Sequence, residues 1–218
     1  MLFRSRERLI EGGKVSDRIR DVLPLGRTNP SDSELLDNCL EFITLGGRSL
    51  PHAIMMMIPE AWEKNATMDP DKRAFYDFHS SIIEPWDGPA TVVFTDGKQV
   101  GTLLDRNGLR PARYMVTRSG LIILASETGV VDIPEADVLE RGRLEPGRML
   151  LVDLTEHRII PAKEIVEMVA GDKPYGEWIR QNKIKLSQLT SPPPMRELGQ
   201  VELRRLHNLF GYSVEDLR

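Results

Sequence analysis

The sequence holds one cysteine in 218 residues, four histidines and only 6% aromatic residues. A single thiol excludes an internal disulfide and a cysteine-built metal site. His52, His79, His157 and His207 show no metal-ligand spacing, so each reads as a surface or satisfied core residue. Long apolar runs are lacking as well. Stretches such as Leu121–Ala125 fall far short of the roughly 20 residues that a membrane-spanning helix needs. The opening residues Met1–Arg8 carry no apolar core of a secretory signal. These absences predict a cytoplasmic chain with no membrane partner. There is also no basic excess: 29 Lys and Arg stand against 33 Asp and Glu, a net charge of -4. That argues against a nucleic-acid partner, while leaving room for a local basic patch.

Hydrophobic residues make up 40% and charged residues 28%, with 17 Gly and 15 Pro, the profile of an ordinary globular chain of one domain or slightly more. Residues 2–11 read as amphipathic helical turns stopped by Gly12-Gly13, and Ile19 to Leu25 form a short segment before a loop. Ser31 followed by Glu34 forms a capping box, after which Leu35, Leu36, Cys39, Leu40 and Ile43 recur at helical spacing until Gly46-Gly47. His52 to Ile58 predicts a short apolar helix broken by Pro59, and Pro59–Trp62 the opening of another. Asp69-Pro70 supplies a cap and a first-turn proline for a third helix, with Phe75, Phe78 and Ile82 on one face.

Beyond Pro85 the period changes. Residues 90–95 and 98–105 flank Asp96-Gly97, predicting a hairpin with a type I′ turn. Arg113–Thr117 with Leu121–Ala125, and Arg148–Leu154 with Arg158–Pro161, predict two more hairpins, and Ala162–Val169 a closing helix. Helices followed by antiparallel strands make the class α+β rather than alternating βαβ. Ser191-Pro192-Pro193-Pro194 reads as a linker before a helix that carries Leu198, Val201, Leu206, Leu209 and Phe210 and ends at Gly211. Ser213–Asp216 opens a further helix.

Among candidate chemical groups, Cys39 sits on an apolar helix face, where a thiol behaves as a small buried hydrophobe. Asp32 follows the Ser31 cap in a first helical turn, where free N–H groups and the helix dipole favour a carboxylate. It could receive a ligand ammonium or serve only its own helix; spacing leaves both open. The charged turn Asp105–Arg110 has the look of a functional loop and equally of a solvated hairpin end.

Several strings together resemble one family. They are Ser31–Asn38, Gly46–Ala53, Ile58–Trp62, Glu84–Pro89, Asp105–Tyr114 and Pro174–Trp178. The chain is similar, over essentially its whole length, to the class II glutamine amidotransferase domain of the glutamate synthase large subunit. Phe210–Arg218 resembles the opening of that subunit's central domain. The resemblance implies an N-terminal-nucleophile fold, an αββα sandwich of antiparallel sheets. It also implies glutamine hydrolysis through a thioester on an N-terminal cysteine, with an Asn and a Gly N–H as oxyanion hole. The ammonia released would aminate 2-oxoglutarate.

Neither an N-terminal nucleophilic cysteine nor a His-Asn-Gly string occurs among these 218 residues. The resemblance therefore implies the C-terminal part of such a domain over 1–183, an incomplete sandwich without its N-terminal half, then a linker and the start of the central domain over 184–218. Such a chain is expected to be inactive alone. The family's one binding residue present is Asp32, which would hold the α-ammonium of glutamine; no role follows for Arg106, Asn107 or Arg110. The implied partners are glutamine, the rest of the large subunit and the small NADPH-dependent subunit. FMN and an iron–sulfur cluster are implied only for the full enzyme, with no cofactor in this chain. The alternative is a non-catalytic module on the same scaffold that binds an amino acid or docks a partner.

Overall fold

A computed structural model describes residues 31–185, 188–189 and 198–212. The expected turns over 2–11, the segment 19–25, the proline linker and the helix opening at Ser213 lie outside the described residues. The chain divides into two compact units, Met1–Gln181 and Asn182–Arg218.

The first unit starts with helix α1 (Asp32–Leu45), α2 (Leu50–Met57) and α3 (Pro70–His79). The Ser31 hydroxyl accepts the Glu34 N–H at 3.1 Å, as the capping box requires. The Asp69 carboxylate accepts the Asp71 and Lys72 N–H groups at 3.0 and 3.1 Å ahead of Pro70. Two expectations fail here. Pro59–Trp62 opens no helix, because the polar stretch Glu63–Thr67 offers no apolar face to bury. Asn65 instead folds its side chain onto the Thr67 N–H at 3.1 Å. Helix α3 ends at His79, short of Ile82, which is exposed while Ile83 is buried. The Ser80 and Ser81 hydroxyls turn back onto the Asp77 and Phe78 carbonyls at 2.8 and 2.7 Å and close the helix.

Strands β1 (Thr91–Thr95), β2 (Gln99–Leu104), β6 (Met149–Asp153) and β7 (Arg158–Ile160) form one antiparallel sheet in the order β1-β2-β6-β7. Strands β4 (Ile122–Ala125), β3 (Arg113–Thr117) and β5 (Val138–Arg143) form a second, ordered β4-β3-β5. The three expected hairpins are present. The first, however, lacks a type I′ turn: of its loop residues only Gly97 has a positive φ, 82°. The Asp96 carboxylate takes the Lys98 and Gln99 N–H groups at 2.9 and 2.8 Å, which stabilises a three-residue loop. Strand β5 has no counterpart in the expectations, since it is largely exposed and lacks an apolar alternation.

Alternation along β2 explains the layering. Leu103 joins Phe94, Leu151 and Ile160 against the helices, in one core with Ile54, Met57 and Phe75. Leu104 points the other way and packs with Ala112, Leu144, Leu124 and Leu150, so the second sheet lies over the first. Residues 101–104 are buried on both faces for that reason. Helices α4 (Ala162–Ala170) and α5 (Tyr175–Asn182) complete the helical layer through Ile165, Val169 and Tyr175. The second unit carries α6 (Gln200–Leu209), which Gly211 follows.

Candidate functional site

Asp32 is the first residue of α1 and is exposed. The Ser31 and Ser33 hydroxyls, which flank it in the sequence, lie 3.2 Å apart, and the Ser31 hydroxyl takes the Glu34 N–H of the same first turn. Asp32 has no side-chain partner among the described residues, so its carboxylate is open to a cationic ligand. Two helical turns further on, Cys39 is only 2% exposed, packed in the apolar core. A thiol there cannot meet a substrate.

The strings singled out in the sequence meet in a second region. The turn after β2 is held by Asp105, whose buried carboxylate accepts the Ala90 N–H at 3.1 Å and the Asn107 N–H at 2.9 Å. Its carbonyl accepts the Gly108 and Gly147 N–H groups, each at 3.0 Å. Trp86 donates its backbone N–H to the Met57 carbonyl at 2.7 Å and its indole N–H to the Gly88 carbonyl at 2.9 Å. Arg106 then reaches Asp87 at 2.8 Å. Arg106 and Asn107 line a cleft of about 630 Å³ with Trp62, Asn65, Tyr76 and His79. Arg110 is exposed outside that cleft.

Beneath the cleft, His52 from α2 and His79 from α3 are both buried, with their Nε2 atoms 3.2 Å apart. His79 Nδ1 lies 2.8 Å from the Phe75 carbonyl, so Nδ1 carries the proton. Nε2 of His79 is then the acceptor and His52 Nε2–H the donor. Burial, and next the Arg48 charge, lower the pKa of His52 to about 4. Burial lowers that of His79 to about 4 as well, the Phe75 bond opposing and His52 and Arg48 adding to it. Phe75 lies against His79 with ring centroids 4.2 Å apart, and Tyr175 stands perpendicular to Phe75 at 5.5 Å. The two histidines are thus satisfied core residues, neutral near pH 7. Among the described residues no group of three or more His, Cys, Asp or Glu is placed to hold a metal, and no helix is long and apolar enough to cross a membrane.

Residues 1–178 match the family of glutamine amidotransferases class-II. The chain belongs to that family. This class-II amidotransferase chain is 45% identical over 217 residues to the glutamate synthase [NADPH] large chain of Bacillus subtilis, covering 99% of itself and 14% of that protein. It is 40% identical over 220 residues to the ferredoxin-dependent glutamate synthase of Pyropia yezoensis, again 99% and 14%. Against ferredoxin-dependent glutamate synthase 2 of Synechocystis the identity is 42% over 217 residues, 98% and 14%. The amidotransferase chain therefore spans about one seventh of the length of these relatives. Its mixed helices and antiparallel sheets agree with the class expected from the sequence.

What the sequence left unseen in this amidotransferase chain is the His52–His79 pair. A signal existed: His52 interrupts the apolar run from Leu50 to Ile58, and His79 follows Phe75 by one helical turn. The convergence around Asp105 had none, because it joins segments as far apart as Met57 and Gly147.

Proposed function

We propose that this chain is the C-terminal part of the glutaminase domain of a glutamate synthase, and that Asp32 receives the α-ammonium of L-glutamine. The observation that carries the reading is the carboxylate of Asp32 on a capped helix start, without a side-chain partner among the described residues, in a chain matched over 1–178 by the class-II amidotransferases. In the complete enzyme the released ammonia would aminate 2-oxoglutarate. Residues 1–183 would supply helices and two sheets to an αββα sandwich, whose remaining strands come from further polypeptide of the same enzyme. Residues 184–218 would lead into the central domain. The rest of the large subunit and the small NADPH-dependent subunit are the partners this reading names.

Turnover needs a thiolate with a free base beside it. The one thiol of these 218 residues is 2% exposed within α1, so the polypeptide by itself is expected to bind glutamine without hydrolysing it. An iron–sulfur cluster would belong elsewhere in the enzyme, since one buried cysteine does not make a cluster's ligand set. The same buried thiol favours the second reading, a non-catalytic module that senses an amino acid or docks a partner.

Calorimetry of the chain with L-glutamine tests the Asp32 role. Asp32→Ala is expected to weaken binding roughly ten- to a hundredfold, the worth of a hydrogen bond to a charged group. An unchanged affinity refutes it. Glutamate release above a heat-treated control would refute the expected inactivity.

A further inference from the structure

Arg106 stands at the junction of two hollows that glutamine chemistry does not use. The cleft beside Arg106 and Asn107 shares Glu60, Ala61, Asn65 and Arg106 with a second hollow, and each measures about 630 Å³. They meet where β2 and β5 stop, beside α2 and α3. A helical layer on the outer face of the second sheet packs on strand faces, so these strand ends stay outside it. The size suits a small organic molecule.

The groove has unlike ends. One is cationic, with Arg106, Arg143 and Arg148 opposite Glu60 and Glu145. Glu60 is neutralised by Lys72. Arg106 hydrogen-bonds Asp87 through one nitrogen at 2.8 Å, and Arg148 comes no nearer to Glu145 than 3.6 Å. Arg143 has no ion-pair partner among the described residues. The other end is apolar and aromatic, with Trp62, Tyr76, Met56, Ile83 and Pro85, and the charges on its wall, Glu63 and Lys64, are of opposite sign. Trp62 is half-buried, and the exposed Asn107 amide makes no hydrogen bond among the described residues. The walls are fixed in advance. Asp105 holds the Asn107 N–H at 2.9 Å, and Arg73 donates to the Glu63 carbonyl at 3.3 Å and to the Asn65 carbonyl. Preformed walls spare a ligand the entropy of ordering them.

We propose that this groove binds a nucleoside monophosphate, its phosphate among Arg106, Arg143 and Arg148 and its base against Trp62 with an edge on the Asn107 amide. Three guanidinium groups exceed what one carboxylate accepts in paired hydrogen bonds, whereas a phosphate offers three acceptor oxygens. An aromatic side chain takes any base by stacking, and an amide presents both a donor and an acceptor to the base edge. A net charge of -4 opposes a long polyanion but not a single nucleotide. Asp32 lines neither hollow, so loss of nucleotide binding and loss of glutamine binding are separate results.

The test is isothermal calorimetry of the 218-residue chain with AMP, GMP, CMP and UMP, with adenosine and inorganic phosphate as controls. At least one monophosphate is expected to bind more tightly than either control. Arg106→Gln combined with Arg143→Gln is expected to weaken it roughly ten- to a hundredfold, with an unchanged circular-dichroism melt because both side chains are exposed. Trp62→Ala is expected to weaken it roughly tenfold, while Trp62→Phe keeps a stacking ring and most of the affinity. No binding by any of the monophosphates, a control that binds as tightly as they do, or unchanged affinity in the arginine variant or in Trp62→Ala would each overturn the proposal.

Discussion

Gly147 presses against Glu60 so closely that a Cβ added to the glycine would lie 2.9 Å from the Glu60 Cα. Its φ of 66° belongs to the left-handed region that favours glycine, so two constraints meet at one residue. The contact matters because Gly147 also donates its N–H to the Asp105 carbonyl, while Glu60 pairs with the buried Lys72. Gly147→Ala is expected to cost about 1–3 kcal/mol, from strain at positive φ and from displacement of Glu60. Chemical denaturation measures it. A loss no larger than that of an alanine placed at exposed Gly199, which has open space around it, would refute the argument.

Acid should loosen the helical layer before it affects the carboxylates. His52 and His79 have folded-state pKa values near 4, below their ordinary 6.5. Between those values the unfolded chain takes up protons that the folded chain refuses. Stability is therefore full above about pH 6.5 and falls as the pH drops toward 4. For two coupled histidines the loss is on the order of a few kcal/mol. Thermal melts across this range should show the decline, and His79→Gln, which keeps a neutral hydrogen-bonding side chain, should flatten it. A wild-type melting temperature that stays level from pH 7 to about pH 5 would rule the pair out as its source.

Cys39 is expected to resist alkylation. With 2% exposure it reacts only when α1 opens, so iodoacetamide labelling should track unfolding by denaturant. Fast labelling of the native chain would place the thiol at a surface and reopen a nucleophilic role for it.

Capping residues and apolar spacing made α1, α3 and the three hairpins legible, because a Ser31 cap or an Asp69-Pro70 start acts through atoms within one helical turn. Strand β5 escaped for the opposite reason. Its pairing with β3 is a long-range match of largely exposed residues, and exposure removes the alternation that marks a strand. The Pro59–Trp62 start misled because a proline and an acidic residue open a helix only where an apolar face follows.

By itself the sequence determined the layering order, the helix starts, the burial of Cys39 and the presence of a carboxylate at position 32. Each rests on neighbours a few residues away. Tertiary structure alone decided that His52 meets His79, that Asp105 ties Ala90 to Gly147, and that Arg113 stands across from Arg143. Those relationships arise where separate segments are pressed together by burial of apolar surface, and no local preference of the chain encodes which distant side chains then share a space.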